Sequence, residues 1–258
     1  MWPVFALATF LNHCSCTFMS RLSSTTLFHF THEFDTLVKI LEEGLWPRYC
    51  VERDWGDKDL IIPMVCTCEI PLSKMSFHQN KYGKYGIGLS KKWAKKKGFT
   101  PVLYVSDKSD IYKRITEYAK HELTQPIICN CSSLNEEYML YYVKRAVGTS
   151  ADREHLKLEN KPKFINEREW RYISRKARME FATKTEVQDN LCTKLSERTK
   201  DEKLKLQPNN IKYIIVKSEK ERINIINEIL RIFEKEENDC INLLISKVCS
   251  SEQMKEDY

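Results

Sequence analysis

The sequence is poor in glycine, with seven among 258 residues, and none of them stands in a phosphate-cradling pattern. There is no P-loop and no GxGxxG fingerprint, which excludes the common nucleotide-binding loops. HExxH, GxSxG and EF-hand patterns are also absent, removing the usual zinc-protease, serine-hydrolase and calcium-switch chemistries. Neither charge sign dominates: 42 basic side chains face 36 acidic ones, a formal +6. That excess permits contact with nucleic acid without requiring it, because both signs are interspersed. No internal repeat or low-complexity tract occurs. Beyond the N-terminal stretch, no apolar run is long enough to cross a bilayer, so no membrane partner is expected.

What is present suits one large domain with a real core, since 42% of residues are hydrophobic and 11% aromatic. The ten cysteines include three C-x-C pairs, at Cys14/Cys16, Cys66/Cys68 and Cys129/Cys131, and no C-x2-C pair. On a strand, C-x-C puts both sulfurs on one face, where free cysteine packs as a small hydrophobe. Buried thiols in a reducing cytoplasm are therefore expected and no metal site is assigned, with metal ligation and disulfides as the alternatives. Residues 1–19 read as a misassigned N-terminal extension, Met19 being the other start, or as a signal-like segment without a basic flank. A single domain is expected over residues 20–250, with a polar insertion or mobile loop at 175–207 and a disordered tail at 251–258.

The patterning is that of an α+β fold. Thr26–Phe30 reads as a strand, and Phe34, Leu37, Ile40 and Leu41 recur at helical spacing up to a capping Gly44. Ile61–Cys68 is β-rich, its proline suggesting an edge or a strand start. A short helix is expected at Leu72–Tyr82, a strand at Gly86–Leu89, a Ser90-capped helix ending at Gly98, and a strand at Pro101–Val105. Helices are expected at Asp110–Leu123 and Leu134–Val147, then a strand at Phe164–Ser174. A β-α-β pattern closes the chain: Ile211–Val216, a stripe of Ile223, Ile226, Leu230 and Phe233, and Ile241–Val248 as a last strand or short helix.

Three constellations carry candidate chemistry. His29 and Thr31 lie two apart, so on a strand they share a face and could bond a ribose hydroxyl; backbone-satisfied side chains are the plainer alternative. Glu167 and Glu169 would likewise share a strand face, where one carboxylate polarises a hydroxyl while the other stays ionised beside an oxocarbenium-like centre. A solvent edge paired with Arg168 or Arg171 is the plainer reading there. Lys91, Lys92, Lys95 and Lys96 form a basic helix with Lys97 around Trp93; it suits a phosphate backbone with the indole stacking a base, or a solvated face with the indole in the core. Tyr82 and Tyr85, flanking Gly83 and Gly86, could stack on a flat heterocycle or fill core.

The series L-F-H-F-T, I-L-E-x-G-L-W-P-R-Y-C, I-P-M-V-C-x-C-x-I-P-L-S, K-Y-G-x-Y-G-I-G-L-S-K-x-W-A, P-V-L-Y and E-R-E-W-R-Y, between residues 26 and 217, resembles the AbiGi family of bacterial abortive-infection proteins. The resemblance implies the antitoxin half of a two-gene system and a cognate toxin as partner. A more distant resemblance, to the ADP-ribosyltransferase superfamily, implies a split, mostly antiparallel sheet with peripheral helices. Under it, His29, Phe30 and Thr31 match H-G-S, Gly86-Ile87-Gly88-Leu89-Ser90 matches G-I-Y-F-A, and Glu169 matches the catalytic glutamate. His29 would then hold a ribose of NAD, the substrate of such an enzyme, with Thr31, Tyr82, Tyr85, Gly86 and Ser90 near it and Glu169 and Glu167 catalytic. Gly88 departs from this pattern, replacing the tyrosine that stacks on nicotinamide, and Phe30 replaces a glycine. An antitoxin or regulator and an NAD-consuming enzyme are the two functions the sequence leaves open.

Overall fold

A computed structural model describes residues 24–52, 59–122, 138–148, 160–188 and 190–257. The N-terminal extension and the Cys14/Cys16 and Cys129/Cys131 pairs lie outside these residues. The chain is α+β, built on a mostly antiparallel sheet.

The sheet runs in the order β11 (Val248–Ser250), β10 (Ile211–Val216), β4 (Tyr85–Ser90), β1 (Thr26–Thr31), β3 (Asp59–Cys68), β8 (Glu169–Ile173), β5 (Thr100–Pro101). Its middle is β1 (Thr26–Thr31), flanked by β4 (Tyr85–Ser90) on one side and β3 (Asp59–Cys68) on the other. The long β3 also pairs with β2 (Arg48–Glu52), β8 (Glu169–Ile173) and β9 (Glu180–Ala182), all antiparallel. Beyond β8 lies the short β5 (Thr100–Pro101), and a separate parallel pair joins β6 (Leu103–Val105) to β7 (Val143–Arg145). At the far edge, β10 (Ile211–Val216) runs antiparallel to β4 and parallel to β11 (Val248–Ser250).

The register between β1 and β4 explains two glycines. Phe28 stands opposite Gly88 and Phe30 opposite Gly86, so each ring lies across a position without a side chain. A Cβ at Gly88 would come within 2.8 Å of Phe28 Cε1 and 3.0 Å of Tyr213 Cβ. The space a tyrosine would need is thus occupied, with the Phe28 and Tyr213 ring centroids 5.7 Å apart.

Helix α1 (Phe34–Glu43) forms as its spacing requires, burying Leu37, Ile40 and Leu41. Gly44 ends it at φ +97°, where a Cβ would collide with the Leu204 carbonyl. Helix α2 (Met75–Tyr82) follows a 3-10 turn at Leu72–Lys74, and α3 (Lys91–Lys97) is capped by Ser90, whose Oγ accepts from Trp93 N. Helix α4 (Asp110–Glu122) packs Ile115 into a core with Leu60, Ile62, Val105 and Val143. The expected closing β-α-β is present, with α7 (Glu219–Ile232) and α8 (Asn238–Ile245) joining β10 to β11, but its expected stripe is corrected: Ile225 and Ile229 are the buried residues of α7, while Ile223 and Leu230 are exposed.

Several expectations are corrected. Pro63 lies mid-strand in β3, opposite Tyr49 of β2. Its carbonyl accepts from Ser174 N just past the end of β8, so the missing N–H costs only a terminal rung of the ladder. Pro101–Val105 is two strands rather than one, because β5 adds to β8 while β6 leaves to pair with β7. Val143–Arg145, expected in a helix, is that β7 strand. Residues 175–207 carry β9, α5 (Lys184–Gln188) and α6 (Leu191–Ser196), and the segment is fastened where Thr199 donates to the Pro47 carbonyl at 2.6 Å. The expected tail forms α9 (Ser251–Asp257), its first residue buried and bonded to the Lys84 carbonyl at 2.9 Å.

Candidate functional site

Strands β1 and β3 pair only at Phe28↔Cys68, after which they diverge. Toward its other end, from Met64 to Leu60, β3 pairs with β2 instead. Into the opening between them the His29 imidazole donates from Nδ1 to the Cys66 carbonyl at 2.8 Å, doing with a side chain what the ladder no longer does. A cavity of about 290 Å³ occupies this split. Its wall is apolar, including Phe28, Phe30, Met64, Cys66 and Cys68, while His29, Glu52, Tyr82, Lys144, Glu167 and Glu169 supply its polar groups.

The imidazole and the acidic pair, some 140 positions apart in sequence, therefore line one hollow. Their geometry differs from two carboxylates on one strand face. Glu169 starts β8, but Phe164–Glu167 is a 3-10 turn, and Arg168 between them adopts φ +47°. The turn and the left-handed residue bring both carboxylates to a common cation. Lys144 Nζ lies 2.7 Å from Glu169 Oε2 and 3.1 Å from Glu167 Oε2.

Around that lysine is a closed ionic network. Arg171, fully buried, donates from Nε to Glu169 Oε1 at 2.6 Å, from Nη1 to the Tyr141 carbonyl at 2.9 Å, and from Nη2 to Glu52. Glu167 Oε1 accepts from Lys81 and, at 2.5 Å, from the Tyr82 hydroxyl. The Phe164 ring covers the two lysines, its centroid 4.9 Å from Lys81 Nζ and 4.7 Å from Lys144 Nζ. Three carboxylates (Glu52, Glu167, Glu169) thus face three cations (Lys81, Lys144, Arg171).

The protonation states follow. Burial disfavours an ionised Glu169, but Arg171 and Lys144 outweigh it and hold the carboxyl far below the usual range. Burial likewise opposes Glu167, outweighed by Lys144 and Lys81. Burial, reinforced by Glu167, pushes the Tyr82 phenol well up, so it stays a donor. The His29 pKa is lowered by burial, so the ring is neutral near pH 7; with Nδ1 donating to Cys66, Nε2 is left as an acceptor. Each Glu167 and Glu169 oxygen already has a cationic or phenolic partner. The arrangement can bind a small polar group against an apolar wall.

The remaining sequence-nominated residues lie elsewhere. Thr31, Tyr85, Gly86 and Ser90 do not line the hollow. Tyr85 is a core residue, edge-on to Phe34, with its hydroxyl donating to Glu221 of α7 at 2.9 Å; Gly86 sits beneath the Phe30 ring. Ser90 caps α3. Trp93 is in the core against Phe99, which leaves no open face for a base. Lys91 and Lys95 turn toward Trp170, Lys91 also pairing with Glu69 at 2.8 Å, whereas Lys92 and Lys96 line a second cleft. Among the described residues there is no cluster of three or more His, Cys, Asp or Glu that could hold a metal, and no helix long and apolar enough to cross a membrane. Sequence reasoning missed Lys81, Lys144, Arg171 and Glu52 as site residues; only Arg171, as a partner for the glutamates, had been in view.

Comparison with known proteins adds family evidence. A family profile described as "Putative abortive phage resistance protein AbiGi, antitoxin" matches residues 44–217. A curated protein of Lactococcus lactis subsp. cremoris, "Abortive phage resistance protein AbiGi", is 30% identical over 232 residues, covering 78% of this chain and 90% of that protein. No solved structure matches the chain significantly.

Proposed function

Since the chain belongs to the AbiGi family of abortive phage resistance proteins, we propose that it is the antitoxin of a two-gene system, a binding protein that restrains a toxic partner. The observation that carries a binding rather than a catalytic role is the saturation of the acidic pair: Arg171 and Lys144 hold both oxygens of Glu169, and Lys81, Tyr82 and Lys144 hold those of Glu167. Carboxyl groups held below their usual range are weak proton acceptors, far from the near-neutral pKa that general-base catalysis favours. The filled space at Gly88, where the resembled transferases carry a stacking tyrosine, argues in the same direction.

The divergence of β1 from β3 around His29 supports kinship with the split ADP-ribosyltransferase-like sheet. Fold kinship alone carries no activity. In this proposal the hollow is retained as a ligand pocket, and the catalytic step has been lost.

Two measurements test the proposal together. Co-expression with the gene encoded beside it is expected to restore growth that the neighbour alone arrests. Purified protein incubated with labelled NAD, with and without cell RNA, DNA and lysate, is expected to release no nicotinamide and transfer no label. Failure of rescue, or turnover of NAD, would overturn it.

A further inference from the structure

A second cleft is lined by Ser90, Lys92, Trp93, Lys96, Lys97, Lys205, Gln207 and Asn210, and shares no residue with the hollow at the sheet's split. Two unrelated pieces of sequence build it. On α3, burial of Trp93 and Ala94 fixes which way the helix faces. Lys92 and Lys96, one turn apart, then fall on a common exposed side, their Cβ atoms about 5–6 Å apart as for any i, i+4 pair. The other wall is an extended segment before β10, in which Leu204, Leu206 and Pro208 point inward while Lys205 and Gln207 alternate outward.

The chemistry of the lining has one sign. Four ammonium groups and two carboxamides converge there, and no carboxylate is among the lining residues. Several lysines elsewhere are ion-paired: Lys91 with Glu69, Lys203 with Glu43, and Lys81 and Lys144 with the buried glutamates. Lys92, Lys96 and Lys97 form no ion pair among the described residues, while Lys205 Nζ reaches the Glu42 carbonyl at 3.5 Å. Concentrated positive charge beside neutral hydrogen-bonding groups is what a phosphodiester backbone requires.

We propose that this cleft clasps the phosphate backbone of duplex nucleic acid without reading its sequence. The indole discriminates between duplex and single strand. Recognition of single strands leans on exposed aromatic faces that stack on bases, and the one aromatic in the cleft is the buried Trp93. With four lysines in the lining, affinity comes chiefly from counterion release.

The test is fluorescence polarisation of a short labelled duplex with the full-length protein across a salt series. The logarithm of affinity is expected to fall against that of salt with a slope of about −3 to −4, as four phosphate contacts would give. The Lys92→Gln/Lys96→Gln/Lys205→Gln variant is expected to weaken binding and to flatten the slope by about one per lysine removed. These side chains are exposed, and an unchanged melting temperature would establish that the variant is folded. A control at exposed lysines elsewhere, Lys220→Gln/Lys235→Gln, removes charge without touching the cleft and is expected to bind as the wild type does. The proposal falls if no duplex binds at low salt, if both variants lose affinity equally, or if polyglutamate competes as well as duplex does. The last result would indicate an acidic protein surface as the ligand.

Discussion

Replacing Glu169 with glutamine should damage folding before it says anything about chemistry. Glu169 is 6% exposed and Arg171 0%, and the two meet at 2.6 Å; Lys144 approaches the other Glu169 oxygen at 2.7 Å. Removing this carboxylate leaves Glu52 and Glu167 to balance Lys81, Lys144 and Arg171, one positive charge too many in a buried site. Breaking a buried pair by removing one partner costs about 3–5 kcal/mol, much of the roughly 5–15 kcal/mol that holds a typical domain together. For a chain of this size such a loss lowers the melting temperature by about 6–20 °C. The assay is thermal and urea unfolding of Glu169→Gln beside wild type, with Glu169→Gln/Lys144→Met as the second variant. Removing Lys144 restores the charge balance, so the double variant is expected to be more stable than the single one. A single variant within about 1 kcal/mol of wild type would refute the closed-network account, and so would a double variant that simply sums two independent losses. Loss of function in Glu169→Gln would not by itself identify a catalytic base.

The other predictions concern pH and packing. His29 is neutral in the fold because burial lowers its pKa, so the unfolded chain takes up a proton first as pH falls below about 6.5. Stability is therefore full above that value and declines with falling pH, by up to about 1.4 kcal/mol per pH unit until the folded pKa is reached; His29→Asn should flatten this slope in melting temperatures measured from pH 7.5 to 5.5, approximate buffer limits chosen to bracket the imidazole range. The depressed pKa values of Glu167 and Glu169 act lower down: their stabilisation is present above the unfolded carboxylate range of about 4.3 and is lost as pH falls beneath it, which acid titration followed by circular dichroism would show. Gly88→Ala puts a methyl within 2.8 Å of Phe28 Cε1 and should cost about 1–3 kcal/mol in urea unfolding. Thr199→Val, which strands the Pro47 carbonyl that Thr199 bonds at 2.6 Å, should cost about 1–3 kcal/mol if the 175–207 segment is as tightly fastened as its contacts require.

Much of the fold was legible because its elements obey local rules. Leu37, Ile40 and Leu41 repeat at helical spacing and Gly44 stops the helix, as the sequence pattern required. The apolar, β-branched run Ile211–Val216 likewise announced β10, and α7 forms where a helix was expected, but on a shifted face: Ile225 and Ile229 are buried while Ile223 and Leu230 of the expected stripe are exposed. What failed was set by long-range partners. Pro63 argues locally for an edge, yet it sits mid-strand because β8 happens to end beside it. Residues 175–207 look like a loop by charge density, yet Leu195, Thr199, Leu204 and Leu206 are buried against other parts of the chain. Sparse apolar anchors in a polar segment leave no periodic signal, because their spacing answers to the surface they cover.

The site divides along the same line. His29 and Glu169 could be nominated because each lies on a recognisable strand, His29 within β1 and Glu169 at the start of β8, and proximity across the sheet then followed from β3 lying between them. Lys144 could not. Its stretch was expected to be helical, where a lysine between Val143 and Arg145 would face solvent; as a strand paired with β6, it instead points at the acidic pair. The assignment of three residues as helix or strand therefore decided whether the glutamates were seen as free acids or as ion-paired anions. A lone carboxylate pair in a hollow suggests catalysis, whereas the same pair with its three cations supplied by the chain suggests a pre-set, charge-neutral pocket. Because Lys144 contacts Glu167, Glu169 and, at 3.9 Å, Glu52, it is the single side chain whose removal would turn the second arrangement back toward the first. Lys144→Met should accordingly raise the Glu167 and Glu169 pKa values toward the ordinary carboxylate range, a change that carbon-13 NMR of labelled glutamate can follow directly.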